Sequence, residues 1–299
     1  ESAISRGGEQ YRPVEMLELL GAGAQGRVHR ARYVDAPADS FIVVKEIAMP
    51  DRDKAKADEV EAKSRDIMNL RHDHLVQYLE VRRQSPGTVW VIMPYYKERD
   101  MVHFLSNLKR TLTEYEICSL VLQLASALHF MHSARPPRVH RDVKLDNVLM
   151  FDNGTRTMLV DLDLSRALPE DPRRAVTKCG TFEYMSPEAE HGRIGPEADV
   201  WALGIILFIL LAMPDFLLIP HPTTGAQEPF SHPSWTQDLM WNTVRRWISR
   251  SFQKRGMTYD SSLIDLCCAM LSRDPQRRPT AADVMRQLED TMLRGLAKV

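Results

Sequence analysis

The densest chemistry in the chain lies in one run, His140-Arg141-Asp142-Val143-Lys144-Leu145-Asp146-Asn147-Val148-Leu149-Met150. The Asp142 carboxylate can accept the proton of an incoming hydroxyl, and the Lys144 ammonium can balance charge on a moving phosphoryl group. Asn147 can offer a side-chain carbonyl oxygen to Mg²⁺. Downstream, Leu159-Val160-Asp161-Leu162-Asp163 ends an apolar run with a carboxylate, as a second Mg²⁺ ligand requires. Upstream, Leu20-Gly21-Ala22-Gly23-Ala24-Gln25-Gly26-Arg27-Val28 follows an apolar β run. Its glycines let backbone N–H groups approach a polyphosphate with no Cβ in the way. A G-x-G-x-x-G also opens dinucleotide-binding folds, where the third glycine begins a helix and an acidic residue follows about twenty positions on. Here a second β run follows and leads to Ile42-Val43-Val44-Lys45. A half-exposed strand also carries such a lysine, but a glycine loop over phosphates gives it a task.

Positioning these groups takes two kinds of element. From Tyr11 to Tyr95 the pattern is short β runs, such as 41–47 and 89–93, with turn-prone stretches like 35–40 between them. One helical segment, 54–70, interrupts the sheet pattern and ends at His72-Asp73-His74. Beyond Tyr96 the helices are long. Thr113 with Glu116 forms a capping box, and Leu120, Leu124 and Leu128 repeat at helical spacing until Arg135-Pro136-Pro137. Thr280 with Asp283 makes a second cap before the apolar stripe Val284, Leu288 and Met292. The stretch 214–241, rich in Pro, Trp and Phe, reads either as a surface excursion that docks a partner or as a segment packed under a long loop.

Bulk properties narrow the class. A chain of 299 residues is long enough for two lobes, each with its own apolar interior. The formal net charge of -1 supplies no global field to recruit nucleic acid or anionic lipid, so neither is expected as a partner, although a local basic patch stays open. Cys118, Cys179, Cys267 and Cys268 lack the spacing of a zinc site or a disulfide framework, which points to a reducing, intracellular, cytoplasmic setting. The apolar run 200–213 is broken by Gly204 and is short for a bilayer, so a buried helix is predicted there. No signal peptide is visible, and a start at Glu1 in place of Met reads as an excised fragment.

In this order, the motifs resemble the eukaryotic protein kinase family, over about residues 11–288. The resemblance implies an α+β, two-lobed fold. A small β-rich N-lobe with one main helix, 9–94, would bind ATP, and a larger, mostly helical C-lobe, 95–292, would carry the catalytic loop, activation segment and substrate docking. By the same resemblance, Lys45 holds the α/β-phosphates, Asp142 is the catalytic base, and Asn147 and Asp161 are the metal ligands for Mg²⁺. Lys144 resembles the serine/threonine-type loop lysine that tyrosine-specific members usually lack. Gly180-Thr181-Phe182-Glu183-Tyr184-Met185-Ser186-Pro187-Glu188 resembles the end of an activation segment, with Thr181 bonding near Asp142. Asp199 would anchor the catalytic loop from a buried helix, and Arg278 would pair with Glu188. Val91-Ile92-Met93-Pro94-Tyr95-Tyr96 is similar to the segment that cradles adenine, with Met93 as gatekeeper and bonds through Pro94 C=O and Tyr96 N–H. A plain edge-strand proline is the competing reading. Leu20, Val28, Val43 and Leu149 would form the adenine walls, though as core residues they would look the same. Thr177 matches an activation-loop phosphorylation site for an upstream activating kinase, with Arg141 as counter-charge; an unmodified surface threonine is the alternative. A loose similarity to the NIMA-related kinases assigns no subfamily, and oligomeric state is not set by the sequence.

Two positions depart from the family pattern. Asp163 stands where the family has glycine; Asp tolerates positive φ, so the turn is expected to survive, with an extra carboxylate that alters metal binding. Lys63 falls where a glutamate should pair with Lys45. Two ammonium groups about 4 Å apart repel by roughly 4 kcal/mol at an effective dielectric near 20. Glu59, Glu61 in another register, or no partner at all stay open. The expected function is a serine/threonine protein kinase using Mg·ATP on protein substrates. A pseudokinase or scaffolding domain is the alternative, and a small-molecule phosphotransferase would leave 180–188 without a role. The reading requires Lys45, Asp142 and Asp161 to gather around one magnesium-bound triphosphate.

Overall fold

β-branched and aromatic residues alternating with charged ones give the first part of the chain a strand period. In the computed structural model, which describes residues 11–23, 26–167, 180–213, 219–256 and 259–297, that period becomes a five-stranded antiparallel sheet. Its strands are β1 (Val14–Gly23), β2 (Gly26–Tyr33), β3 (Ile42–Ala48), β4 (Glu80–Ser85) and β5 (Thr88–Pro94), in the order β1-β2-β3-β5-β4. The chain divides into two compact units, 1–97 and 98–299, and this sheet is the frame of the first.

Register sorts the side chains of the sheet. Val28 lies opposite Lys45, Lys45 opposite Val91, and Val43 opposite Met93. Directly opposed and alternate residues share a face, so these five belong to one side. Ala31, Ile42, Val44 and Ile92 pack on the other with Val14, Met16, Tyr33 and Trp90. Helix α1 (Lys54–Ile67) starts where the Asp53 side chain accepts the Lys56 N–H, and it buries Ala57 against Met49, Val81 and Val89. It ends three residues short of the predicted Leu70.

In the second unit, α2 (Met101–Asn107) leads to α3 (Glu114–His132), whose Thr113 and Glu116 form the reciprocal cap read from sequence. Two short antiparallel pairs follow, β6 (Arg138–Val139) with β9 (Arg166–Ala167) and β7 (Val148–Phe151) with β8 (Arg156–Leu159). The apolar run 200–213 becomes α4 (Pro196–Ala212), in which every residue from Asp199 to Ala212 is buried. Gly204 is what lets α6 (Ser261–Met270) lie so near, since a Cβ there would sit 2.9 Å from the Met270 Cβ. Among the described residues, no helix is long and apolar enough to cross a membrane. The described part of 214–241 is divided: 222–225 are exposed, whereas Phe230, Ser231 and Trp235 pack inward. After the short pair β10 (Ile219–Pro220) and β11 (Gln227–Glu228), the buried Phe230 meets Phe208 of α4 at 5.5 Å and Trp235 at 5.1 Å. Arg273 donates to the carbonyls of Phe230, Ser231 and His232 beneath it. Helix α5 (Gln237–Arg255) follows, and α7 (Ala281–Leu296) begins at the Thr280–Asp283 capping box.

Candidate active site

The loop between β6 and β7 carries Asp142, Lys144 and Asn147, and it is held from below by Asp199 at the start of α4. The Asp199 carboxylate, 1% exposed, accepts the backbone N–H groups of His140 at 2.8 Å and Arg141 at 2.9 Å, and meets His132 Nε2 at 2.9 Å. Burial alone would raise its pKa; the His132 bond and charge, with the backbone donors, bring it below the usual carboxylate range. Those bonds hold Arg141 at φ 76, a left-handed conformation that costs a non-glycine residue about 1–3 kcal/mol. His140 completes the frame. Its Nδ1 accepts the Asp142 N–H at 3.3 Å, so the proton sits on Nε2, 3.2 Å from the Val160 carbonyl. Full burial pushes the imidazole pKa down and keeps it neutral.

Asp142 is itself surrounded. Thr181 donates its hydroxyl to Oδ1 at 2.9 Å, Lys144 Nζ lies 3.0 Å from Oδ2, and Lys144 also donates to Thr181 Oγ1 at 2.8 Å. The Asn147 amide nitrogen donates to Asp142 Oδ2 at 2.9 Å and to its backbone carbonyl at 2.8 Å. With the nitrogen so engaged, the Asn147 oxygen is the atom suited to a cation. Gly180, at φ 107, makes the approach of Thr181 feasible, because a Cβ there would lie 2.7 Å from the Arg141 carbonyl. Glu188 and Arg278 form the expected pair, two parallel bonds with the second at 2.7 Å, and Arg278 lies 4.9 Å over the Trp201 ring.

Asp161 leaves β8 through Val160, whose N–H donates to the backbone carbonyl of Asn147 at 2.9 Å. Here the structure corrects the sequence reading. The left-handed residue is Asp161, at φ 63 and ψ 67, whereas Asp163 lies inside a 3-10 turn from Leu162 to Leu164. The turn therefore never asks Asp163 for a positive φ, and a short polar aspartate one step earlier accepts it.

In the sheet unit, Lys45 is buried at 7% exposure on the face with Val28, Val43 and Met93. Gly23 faces Gly26 across the β1–β2 turn, so a strand, and not a helix, follows the glycine run. Gly26 has φ 122, and a Cβ there would lie 2.3 Å from the Glu46 carbonyl, while Gly21 and Gly23 have open space around them. Leu20 sits in a bulge and is exposed, Pro94 ends β5 opposite Ile42, and Tyr96 lies past the strand. Leu149, in β7, belongs to the helical unit, half-buried and opposite Met158.

The open question of α1 receives a partial answer. Glu61 accepts from Arg65 at 3.0 Å and Arg83 at 2.9 Å, and Arg83 also reaches Asp58 at 2.7 Å. Glu59 is exposed and Lys63 half-buried. Sequence reasoning missed Arg83 and His132, for which no spacing rule exists, since their partners lie on other elements. Thr177 and Cys179 lie outside the described residues, as do Ala24 and Gln25. Cys118, Cys267 and Cys268 are buried free thiols, and burial pushes Cys118 up to about 12, so it is inert.

Set against known proteins, residues 14–288 match the family model described as the protein kinase domain. NUAK family SNF1-like kinase 1 of Mus musculus is 31% identical over 274 residues, which is 90% of this chain and 37% of that protein. Serine/threonine-protein kinase PLK2 of Mus musculus is 30% identical over 234 residues, 76% of this chain and 30% of that protein. The chain thus spans about a third of the length of the curated relatives it matches. Among solved structures, the autoinhibited serine kinase domain of the giant muscle protein titin superposes with a TM-score of 0.69 at 20% identity, over 94% of this chain and 81% of that one, a likeness of fold.

Proposed function

The chain belongs to the protein kinase domain family, and from that premise we propose that it transfers the γ-phosphoryl group of ATP to serine or threonine hydroxyls of protein substrates. The observation that carries this reading is the Asp142 carboxylate, bonded at once by Thr181, Lys144 and Asn147. Asp142 takes the proton of the substrate hydroxyl as that oxygen bonds to the γ-phosphorus and the bridge to ADP breaks. Lys144, 3.0 Å from Asp142, sets its positive charge beside the oxygens of the group in flight. Thr181 bonds Asp142 Oδ1, which would hold the carboxylate in one rotamer for an incoming hydroxyl.

Members of this family use ATP and Mg²⁺. The oxygens of Asn147 and Asp161 are hard donors that fit magnesium, which when bound neutralises charge along the triphosphate. Magnesium bound there would complete its shell with phosphate oxygens and water. In the sheet unit, Gly21, Gly23 and Gly26 would offer N–H groups to phosphates and Lys45 its ammonium. Pro94 C=O and Tyr96 N–H would meet adenine behind Met93, against Leu20, Val28 and Val43. Thr177 is proposed as a site for an upstream kinase.

Incubation of the wild type and Asp142→Asn with Mg·ATP and a mixed peptide library tests the reading. Label is expected on serine and threonine, with kcat for Asp142→Asn lower by roughly 10²–10⁴. Nucleotide-dependent stabilisation without any labelling would make the chain a scaffold, and labelling of sugars alone would make it a small-molecule phosphotransferase.

A further inference from the structure

The second half of α5 carries cations for which the phosphotransfer reading has no use. Arg246, Arg250 and Lys254 are exposed and stand four residues apart, so they form one row along the helix with about 6 Å between steps. Neighbouring cations are answered: Arg245 pairs with Asp265 at 2.8 Å, and Arg255 donates to the Leu211 carbonyl at 3.2 Å. Among the described residues, no carboxylate reaches the three in the row. Like charges four apart destabilise a helix, and α5 holds a single acidic residue, Asp238, at its far end. The chain as a whole is at -1, so the row is a local segregation of charge.

The row also borders a cavity. Arg250 and Lys254, with Ala212, Met213, Trp247 and Arg255, line an open groove of about 790 Å³ where α4 and α5 end. Met213 caps α4 in a left-handed conformation at φ 43. A cationic rim over methionine and indole surface suits a ligand that presents carboxylates on one side and an apolar side chain on the other.

We propose that this groove docks an acidic, extended segment of a protein partner, with carboxylates at alternate positions and an apolar residue between them. Alternate residues of an extended chain are about 6.6 Å apart, close to the step of the α5 row, so three carboxylates meet three cations in register. Nucleic acid calls for a broader positive field than three side chains on a chain of net charge -1. The inference does not depend on phosphotransfer, and its test reads binding alone.

The probe is a fluorescein-labelled peptide with the core Glu-Leu-Glu-Leu-Glu, titrated by anisotropy with the full chain. The triple variant Arg246→Glu, Arg250→Glu, Lys254→Glu is expected to bind at least tenfold more weakly than the wild type at low salt. The glutamine triple should lie between them, and wild-type binding should weaken as salt rises. Both variants change only exposed side chains and should keep the wild-type circular dichroism spectrum; if the glutamate triple departs from it, the glutamine triple decides. Equal binding by wild type and glutamine triple would overturn the proposal. So would an absence of wild-type binding at low salt, or tighter wild-type binding to phosphatidylserine vesicles or a single-stranded oligonucleotide than to the peptide.

Discussion

Asp142 is bonded by three side chains, Thr181, Lys144 and Asn147. Lys144 contacts both Asp142 and Thr181, yet its charge matters most when the phosphoryl group is in flight. Lys144→Ala is therefore expected to lower kcat by about 10²-fold with KM little changed, measured by steady-state kinetics on one peptide. An equal rise in KM with kcat intact would give Lys144 a binding role instead. His140 predicts a pH effect. Its imidazole is buried neutral with a depressed pKa, against an ordinary value of 6.5 once unfolded. Below 6.5 the unfolded chain takes up a proton that the folded chain refuses, so stability falls as pH drops from 6.5 through the folded pKa. The slope for one such group is at most about 1.4 kcal/mol per pH unit. His72 shifts the same way through burial, so urea midpoints of wild type and His140→Asn from pH 7.5 to 5 should show a shallower slope in the variant, not a flat one. Most of these residues were legible because the motif is local: 142, 144 and 147 lie on one loop. The bond from Lys144 to Thr181 and the left-handed Asp161 were not, because both depend on how distant segments of the chain meet.

At the scale of elements, the helix caps at Thr113 and Thr280 could be read in advance, since a capping box is complete within four residues. The tether of α1 could not. Arg83 joins Asp58 and Glu61 across more than twenty residues of chain, and nothing in helical or strand spacing names it. Arg83→Ala should release the helix from β4, lower stability by about 1 kcal/mol as half-exposed pairs allow, and Arg83→Lys should restore little, because an ammonium cannot reproduce the two-pronged bond. Thermal melts of the two variants check this, and a full rescue by lysine would remove the geometric argument. Gly204 gives a sharper case. Its missing side chain was read only as a break in an apolar run, whereas it is a contact point between α4 and α6, with no room for a methyl group 2.9 Å from the Met270 Cβ. Gly204→Ala should raise helix propensity and still destabilise by about 1–3 kcal/mol through overpacking. A neutral or stabilising urea midpoint would mean that the two helices separate at little cost.

The molecule as a whole divides the proposed labour between two units, with Lys45 in the sheet unit and Asp142 in the helical one. Binding and transfer should then separate by mutation. A ligand at a hundred times its Kd stabilises the state it binds by about 2.7 kcal/mol. For a chain of this size each kcal/mol moves Tm by roughly 2–4 °C, so saturating Mg·ATP should raise the wild-type Tm by at least about 5 °C. Asp142→Asn removes the proton acceptor but no proposed nucleotide contact, and it should keep the full Tm rise while losing peptide labelling. Lys45→Ala removes the ammonium proposed to hold the α/β-phosphates and should lose most of the rise together with the labelling. The decisive comparison is the Tm rise in these two variants, read by differential scanning fluorimetry with and without Mg·ATP. If Lys45→Ala kept the rise and Asp142→Asn lost it, the nucleotide would be held by the helical unit, and the task assigned to the glycine run and Lys45 would have to be withdrawn.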